Sequence, residues 1–208
     1  MANCNLKINI NNQAGVNLAA VQNQINSLLG STASPEGNTV GANFVPSNQA
    51  DYTLNIVTGF SFLPSGVSPF YVTSYVFAAS IRSVFWFAST ATINQIIGTT
   101  ATHELTHQIT GIPDQPYAGG PDGAPNLMQM NSYNDQYGTQ LTDKLQNPLG
   151  IQLSPGQVSA LYGACQQKRD QNHLGGGPGN SPVFGSYDMQ LYLCLAYGGG
   201  VCVTIPKE

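Results

Sequence analysis

The stretch from Thr92 to Gly111 constrains the fold more than any other part of the chain. Its apolar residues Ile93, Ile96, Ile97, Ala101, Leu105 and Ile109 recur every three to four positions, the period of a helix with a buried face. Gly111 and Pro113 then mark its end. The same helix carries His103-Glu104-Leu105-Thr106-His107. Residues four apart share a helical face, so the two imidazoles can converge on one zinc ion, with Glu104 beside the water that completes the coordination. Zinc in such a site acidifies that water towards a pKa of ~7 and polarises a carbonyl, and Glu104 can take the proton as the water attacks. With three His and three Glu in 208 residues, chance supplies roughly 0.0006 matches to this pattern. The spacing therefore predicts a zinc-dependent hydrolase. His173, in a polar segment, reads as a solvated surface residue.

A catalytic zinc usually keeps three protein ligands and one open position. Downstream of Glu104 the only glutamate is Glu208, at the very end, so the third ligand is sought among Asp114, Asp122, Asp135, Asp143, Asp170, Asp188 and His173. Asp114 fits best. Gly111 suits the left-handed turn that reverses the chain after the helix, and Ile112-Pro113 then carry Asp114 back under the metal. The other reading of Asp114 is a residue capping a Pro-Asp turn.

Around this helix the pattern is mixed. Leu6 to Ile10 alternates like a strand, and Asn17 caps a helical pattern through Leu18, Val21, Ile25, Leu28 and Leu29 that stops at Gly30. Further strands are expected at Thr39 to Val45, Tyr52 to Val57, Tyr71 to Ala78 and Ser83 to Ala88. Pro113 to Leu149 is rich in Gly, Pro, Asn and Asp and shows no period, which marks a long irregular segment of the kind that carries function. Ser154 and Pro155 open a last helix through Val158, Leu161 and Cys165, and a glycine run at 175–179 separates it from a terminal hairpin. The expectation is an α+β fold in a single domain, 1–208, with an upper subdomain at 1–111 and a smaller irregular lower one at 112–208. Within the irregular segment, the turn at Gly119-Gly120-Pro121-Asp122-Gly123 reads first as unliganded and second as a structural calcium site through Asp122.

Composition narrows the partners. Charged residues are 8% of the chain, against about 25% in an average globular protein. A net charge of -4 with six Lys and Arg leaves no basic stripe for nucleic-acid phosphates or an anionic membrane. No apolar run is long enough to span a bilayer. Of the four cysteines, Cys194 and Cys202 flank a Tyr-Gly-Gly-Gly turn that can bring them together, which leaves Cys4 to pair with Cys165. Four cysteines allow three connectivities, and four free thiols in a cytosolic protein is the competing reading. Met1-Ala2-Asn3-Cys4 has neither the basic start nor the apolar core of a signal peptide, so the expected secreted, extracellular location rests on the disulfides.

His103 to Asp114 resembles the extended zinc signature of the metzincins, in which HExxH is followed by xxGxx and a third ligand, an aspartate in the snapalysin-like branch. Here Gly111 and Asp114 each stand one place later, as if Thr110 were inserted. Pro125-Asn126-Leu127-Met128 resembles the family's Met-turn, with Met128 beneath the zinc ligands, and Leu153 to Val158 is similar to the start of its last helix. The resemblance spans roughly residues 4–171. It implies a twisted mixed sheet with two helices above a cleft and zinc on the cleft floor. It also implies a monomeric endopeptidase that binds a protein or peptide substrate as an added strand along the sheet edge, placed here at Ser74 to Ile81. Tyr133 is a weaker candidate for supporting the oxyanion, because the position two residues after Met128 is Met130. Two other readings compete. Asp135-Gln136-Tyr137-Gly138 is similar to the Asp-x-x-Tyr-Gly element of the aspzincins, one residue short, and a vestigial zinc helix on a tyrosine-rich binding module would need no catalysis.

Overall fold

The computed structural model describes residues 2–59, 66–70, 73–112, 127–128, 152–173, 193–195 and 201–203. Five strands, β1 (Asn3–Asn12), β2 (Thr39–Phe44), β3 (Tyr52–Val57), β4 (Gly66–Phe70) and β5 (Thr73–Phe77), form one sheet in the order β2-β1-β3-β5-β4. All neighbours run parallel except β4, which is antiparallel to β5. The expected α+β mixture with a mixed sheet is therefore present.

Alternation sorts the sheet into two faces. Cys4, Leu6 and Ile8 of β1, Val40 and Ala42 of β2, Leu54 and Ile56 of β3 and Val76 of β5 are buried in one core. Asn5, Lys7 and Asn11 of β1 and Asn43 of β2 point to water on the other face, where Asn11 Nδ2 donates to Asn55 Oδ1 across the strands at 3.1 Å. A sheet covered on one side only can wear amides in place of charges.

Helices α1 (Leu18–Gly30) and α3 (Thr90–Thr110) supply the covering layer. Each starts where its cap residue stands. The side chain of Asn17 accepts from the Ala20 amide, and that of Ser89 from the Thr92 amide, which satisfies donors the first turn leaves unpaired. The two helices pack closely at Gly98, where a Cβ would lie 2.6 Å from Gln24 Cβ. Nearby, Gln24 Nε2 donates to Thr99 Oγ1 at 3.2 Å. Helix α4 (Pro155–His173) begins with a reciprocal box: Ser154 N–H donates to Gln157 Oε1 and Gln157 N–H to Ser154 Oγ, at 2.9 and 3.3 Å.

The expected strand at Ser83 to Ala88 is not formed. Helix α2 (Ala78–Val84) follows β5 directly and closes in a turn at Phe85. Ala78-Ala79 favour helix, and Ile81 and Phe85, one helical turn apart, are both buried in the core. The aromatic run that suggested a strand leaves Trp86 and Phe87 exposed, at 81% and 63%. Strand β4 went unread, and it moves the sheet edge: Ser74 to Phe77 belong to β5, which is paired on both sides, and β4 is the outer strand. Among the described residues, no helix is long and apolar enough to cross a membrane.

Cys4 and Cys165 form a disulfide that ties β1 to α4 across 161 residues of sequence, as the cysteine arithmetic anticipated. In the terminal hairpin, β6 (Leu193–Leu195) and β7 (Val201–Val203) pair antiparallel with Cys194 directly opposite Cys202, the register a cross-strand bridge requires. Replacing both Cys4 and Cys165 with Ser should lower the unfolding midpoint by about 10 °C in a thermal melt. Loop-closure entropy for so long a loop amounts to about 5 kcal/mol at most, and each kcal/mol moves the midpoint of a domain this size by roughly 2–4 °C.

Candidate metal centre

Helix α3 is buried along most of its length although it is rich in threonine. Four of those hydroxyls turn back onto their own helix, each donating to the carbonyl four residues earlier: Thr99 to Gln95, Thr102 to Gly98, Thr106 to Thr102 and Thr110 to Thr106. With their hydrogen bonds made locally, these side chains pack as small apolar groups. His103 and Glu104 are thereby carried into the interior, 7% and 5% exposed, while His107 is partly buried.

The two imidazoles face each other. Nε2 of His103 and Nε2 of His107 are 2.9 Å apart, and the rings stand nearly perpendicular with centroids 4.4 Å apart. Each ring is held from behind by a backbone carbonyl: Leu127 O lies 2.7 Å from His103 Nδ1, and Ile112 O lies 2.6 Å from His107 Nδ1. A carbonyl can only accept, so both Nδ1 atoms carry hydrogen, and in a neutral imidazole this leaves Nε2 as a lone-pair donor. Two such lone pairs repel at this distance unless a proton or a metal cation lies between them. The spacing is within reach of two Zn–N bonds of ~2.0–2.1 Å, and the Nδ1–H···O=C arrangement is the usual orienting support of zinc-binding histidines. The residues present therefore fit zinc.

Both carbonyls are brought in by turns. Gly111, at φ 67°, takes the left-handed conformation, and its N–H donates to His107 O at 2.8 Å. The chain reverses there, as expected, and returns the Ile112 carbonyl to the helix it has just left. Leu127 and Met128 form a wholly buried turn, pinned by the Leu127 N–H to Gln152 O at 2.9 Å. Met128 thus lies in a turn that touches the first histidine directly.

Two further residues were not read from the sequence. Ser74, fully buried on β5, sets its hydroxyl 3.2 Å from the Glu104 carbonyl and 2.6 Å from Gln108 Oε1, which fixes α3 to the sheet beside Glu104. The available signal was a serine at an inward position of an apolar strand. Gln108 Nε2 is buried without a partner among the described residues.

Asp114, Asp122 with its calcium reading, Tyr133 and Asp135 lie outside the described residues, as do Asp143 and Asp188. His173 is the last residue of α4. Among the described residues no group of three or more His, Cys, Asp or Glu comes together; of the expected ligands, the described residues hold His103 and His107, which face each other. Compared with known proteins, the chain matches no family model, no curated protein and no solved structure.

A Gly111→Ala substitution should cost about 1–2 kcal/mol in denaturant unfolding, because a Cβ is strained in this conformation. By loosening the Ile112 carbonyl it should also weaken zinc binding by about tenfold or more, measured by competition with a chromophoric chelator.

Proposed function

We propose that this chain is a zinc-dependent endopeptidase of metzincin-like type, secreted and acting on protein or peptide substrates. The observation that carries the reading is the pair of carbonyl-locked imidazoles with Nε2 facing Nε2 across 2.9 Å, one turn apart on a helix that also bears Glu104. The mixed sheet covered by two helices and the buried Leu127–Met128 turn against His103 support it.

In this reading His103, His107 and Asp114 hold the metal. Bound there, zinc supplies an acidified water and a polarised scissile carbonyl, the two requirements of peptide hydrolysis at neutral pH. Glu104 accepts the proton of the attacking water and delivers it to the amine that leaves. No side chain of the protein becomes covalently attached to substrate. Ser74 and Gln108 keep the helix, and with it Glu104, in a fixed position against β5. A substrate backbone is read by strand addition along β4, the outer strand next to β5.

Glu104→Gln should reduce cleavage of casein by about a hundredfold or more while the protein still takes up one zinc, measured by elemental analysis. Undiminished cleavage would rule out the mechanism and favour a binding module. Zinc content separates the possible third ligands: it should fall in Asp114→Ala and persist in Asp135→Ala. The reverse result would point to an aspzincin-like site.

A further inference from the structure

The first half of β1 has one edge without a strand beside it. β2 pairs with Asn3 through Ile8, but β3 joins on the other side only from Ile8 onward. Hydrogen-bonding direction alternates along a strand. On the β2 side, Ala2 O accepts from Thr39 N–H and Ile8 O from Val45 N–H, whereas Lys7 O faces the other way and accepts from Asp51 N–H. By that parity the N–H and C=O groups of Asn3 and Asn5, and the N–H of Lys7, point to the β3 side, ahead of where β3 begins. No described residue pairs with them.

This edge forms one wall of a cavity of about 410 Å³. Lys168 and Arg169 of α4, Asp51 and the bridged Cys4 and Cys165 also line it. Lys7, Lys168 and Arg169 are three of the chain's six Lys and Arg residues. Against them the lining sets a single acid, Asp51, so the cleft is cationic in a chain of net charge -4. An edge of free backbone groups accepts an extended chain, and a cationic wall selects an acidic one.

We propose that this cleft binds an extended acidic peptide segment of a partner protein as an added strand beside Asn3–Lys7. The backbone groups of Asn3, Asn5 and Lys7 hold its main chain, and Lys7, Lys168 and Arg169 meet its carboxylates. Because these contacts are to main chain and charge, binding should depend on the acidity of the segment more than on its exact sequence. None of the metal-centre residues takes part.

The probe is a fluorescein-labelled, amide-capped Glu-Val-Glu-Val-Glu peptide followed by fluorescence anisotropy, with Lys-Val-Lys-Val-Lys as its counterpart. The acidic peptide should bind at least about tenfold more tightly than the basic one and lose about tenfold or more in a Lys168→Gln/Arg169→Gln variant whose thermal melt is unchanged. Binding should also weaken steeply as salt is raised, and amide exchange at Asn5 and Lys7 should slow when the peptide is bound. Equal affinity for the two peptides, or undiminished affinity in the variant, would overturn the proposal. So would binding that leaves exchange at Asn5 and Lys7 unchanged, or full displacement by glutarate, which would mark a site for small anions instead.

Discussion

Everything in this molecule depends on burying a helix whose sequence is half polar. Helix α3 is packed against the sheet, against α1 and against α4, a position that normally demands aliphatic side chains on every face. The chain meets that demand with threonines whose hydroxyls are satisfied by their own helix and with a glycine where α1 crosses. Once the helix is central, any polar side chain on it that cannot bond locally must be met by another element. For His103, His107 and the Oε1 of Gln108 those elements are the Leu127 turn, the Gly111 reversal and Ser74.

The consequence for the two histidines is a fixed tautomer. An imidazole at the surface exchanges its proton between nitrogens at little cost, but here each Nδ1 is committed to a carbonyl that can only accept. Both Nε2 atoms are therefore oriented by the fold itself, so a ligand that meets them spends less of its binding energy on ordering the rings.

What could be read from the sequence divides along the range of the interactions. Asn17, Ser154 and Gly111 act on the turn beside them, and each stands where a helix begins or ends. The paired histidines were equally legible, because helical spacing alone puts them on one face. Strand β4 and the sheet edge were not, since Gly66–Phe70 becomes a strand only by pairing with β5, and nothing local in Gly-Val-Ser-Pro-Phe requires it. The run at Ser83–Ala88 misled for the same reason: Ile81 and Phe85 have a core to pack into, and that outweighs the strand preference of the aromatics that follow. Ser74 and the Leu127 carbonyl join the centre through contacts 30 and 24 residues away in sequence. A one-dimensional pattern does not record such distances.

The bond between Cys4 and Cys165 also sets an order of events. One sulfur sits on the first strand of the sheet and the other on α4, with the whole of α3 between them in the sequence. During synthesis the early cysteine must wait, unpaired, until its partner emerges 161 residues later. By then β1, α1, β2 and β3 have all been made, so the strands that pair with β1 are present before the bridge can close. The other two cysteines, Cys194 and Cys202, follow Cys165 in the sequence, so Cys165 is the first sulfur in the chain that Cys4 can meet.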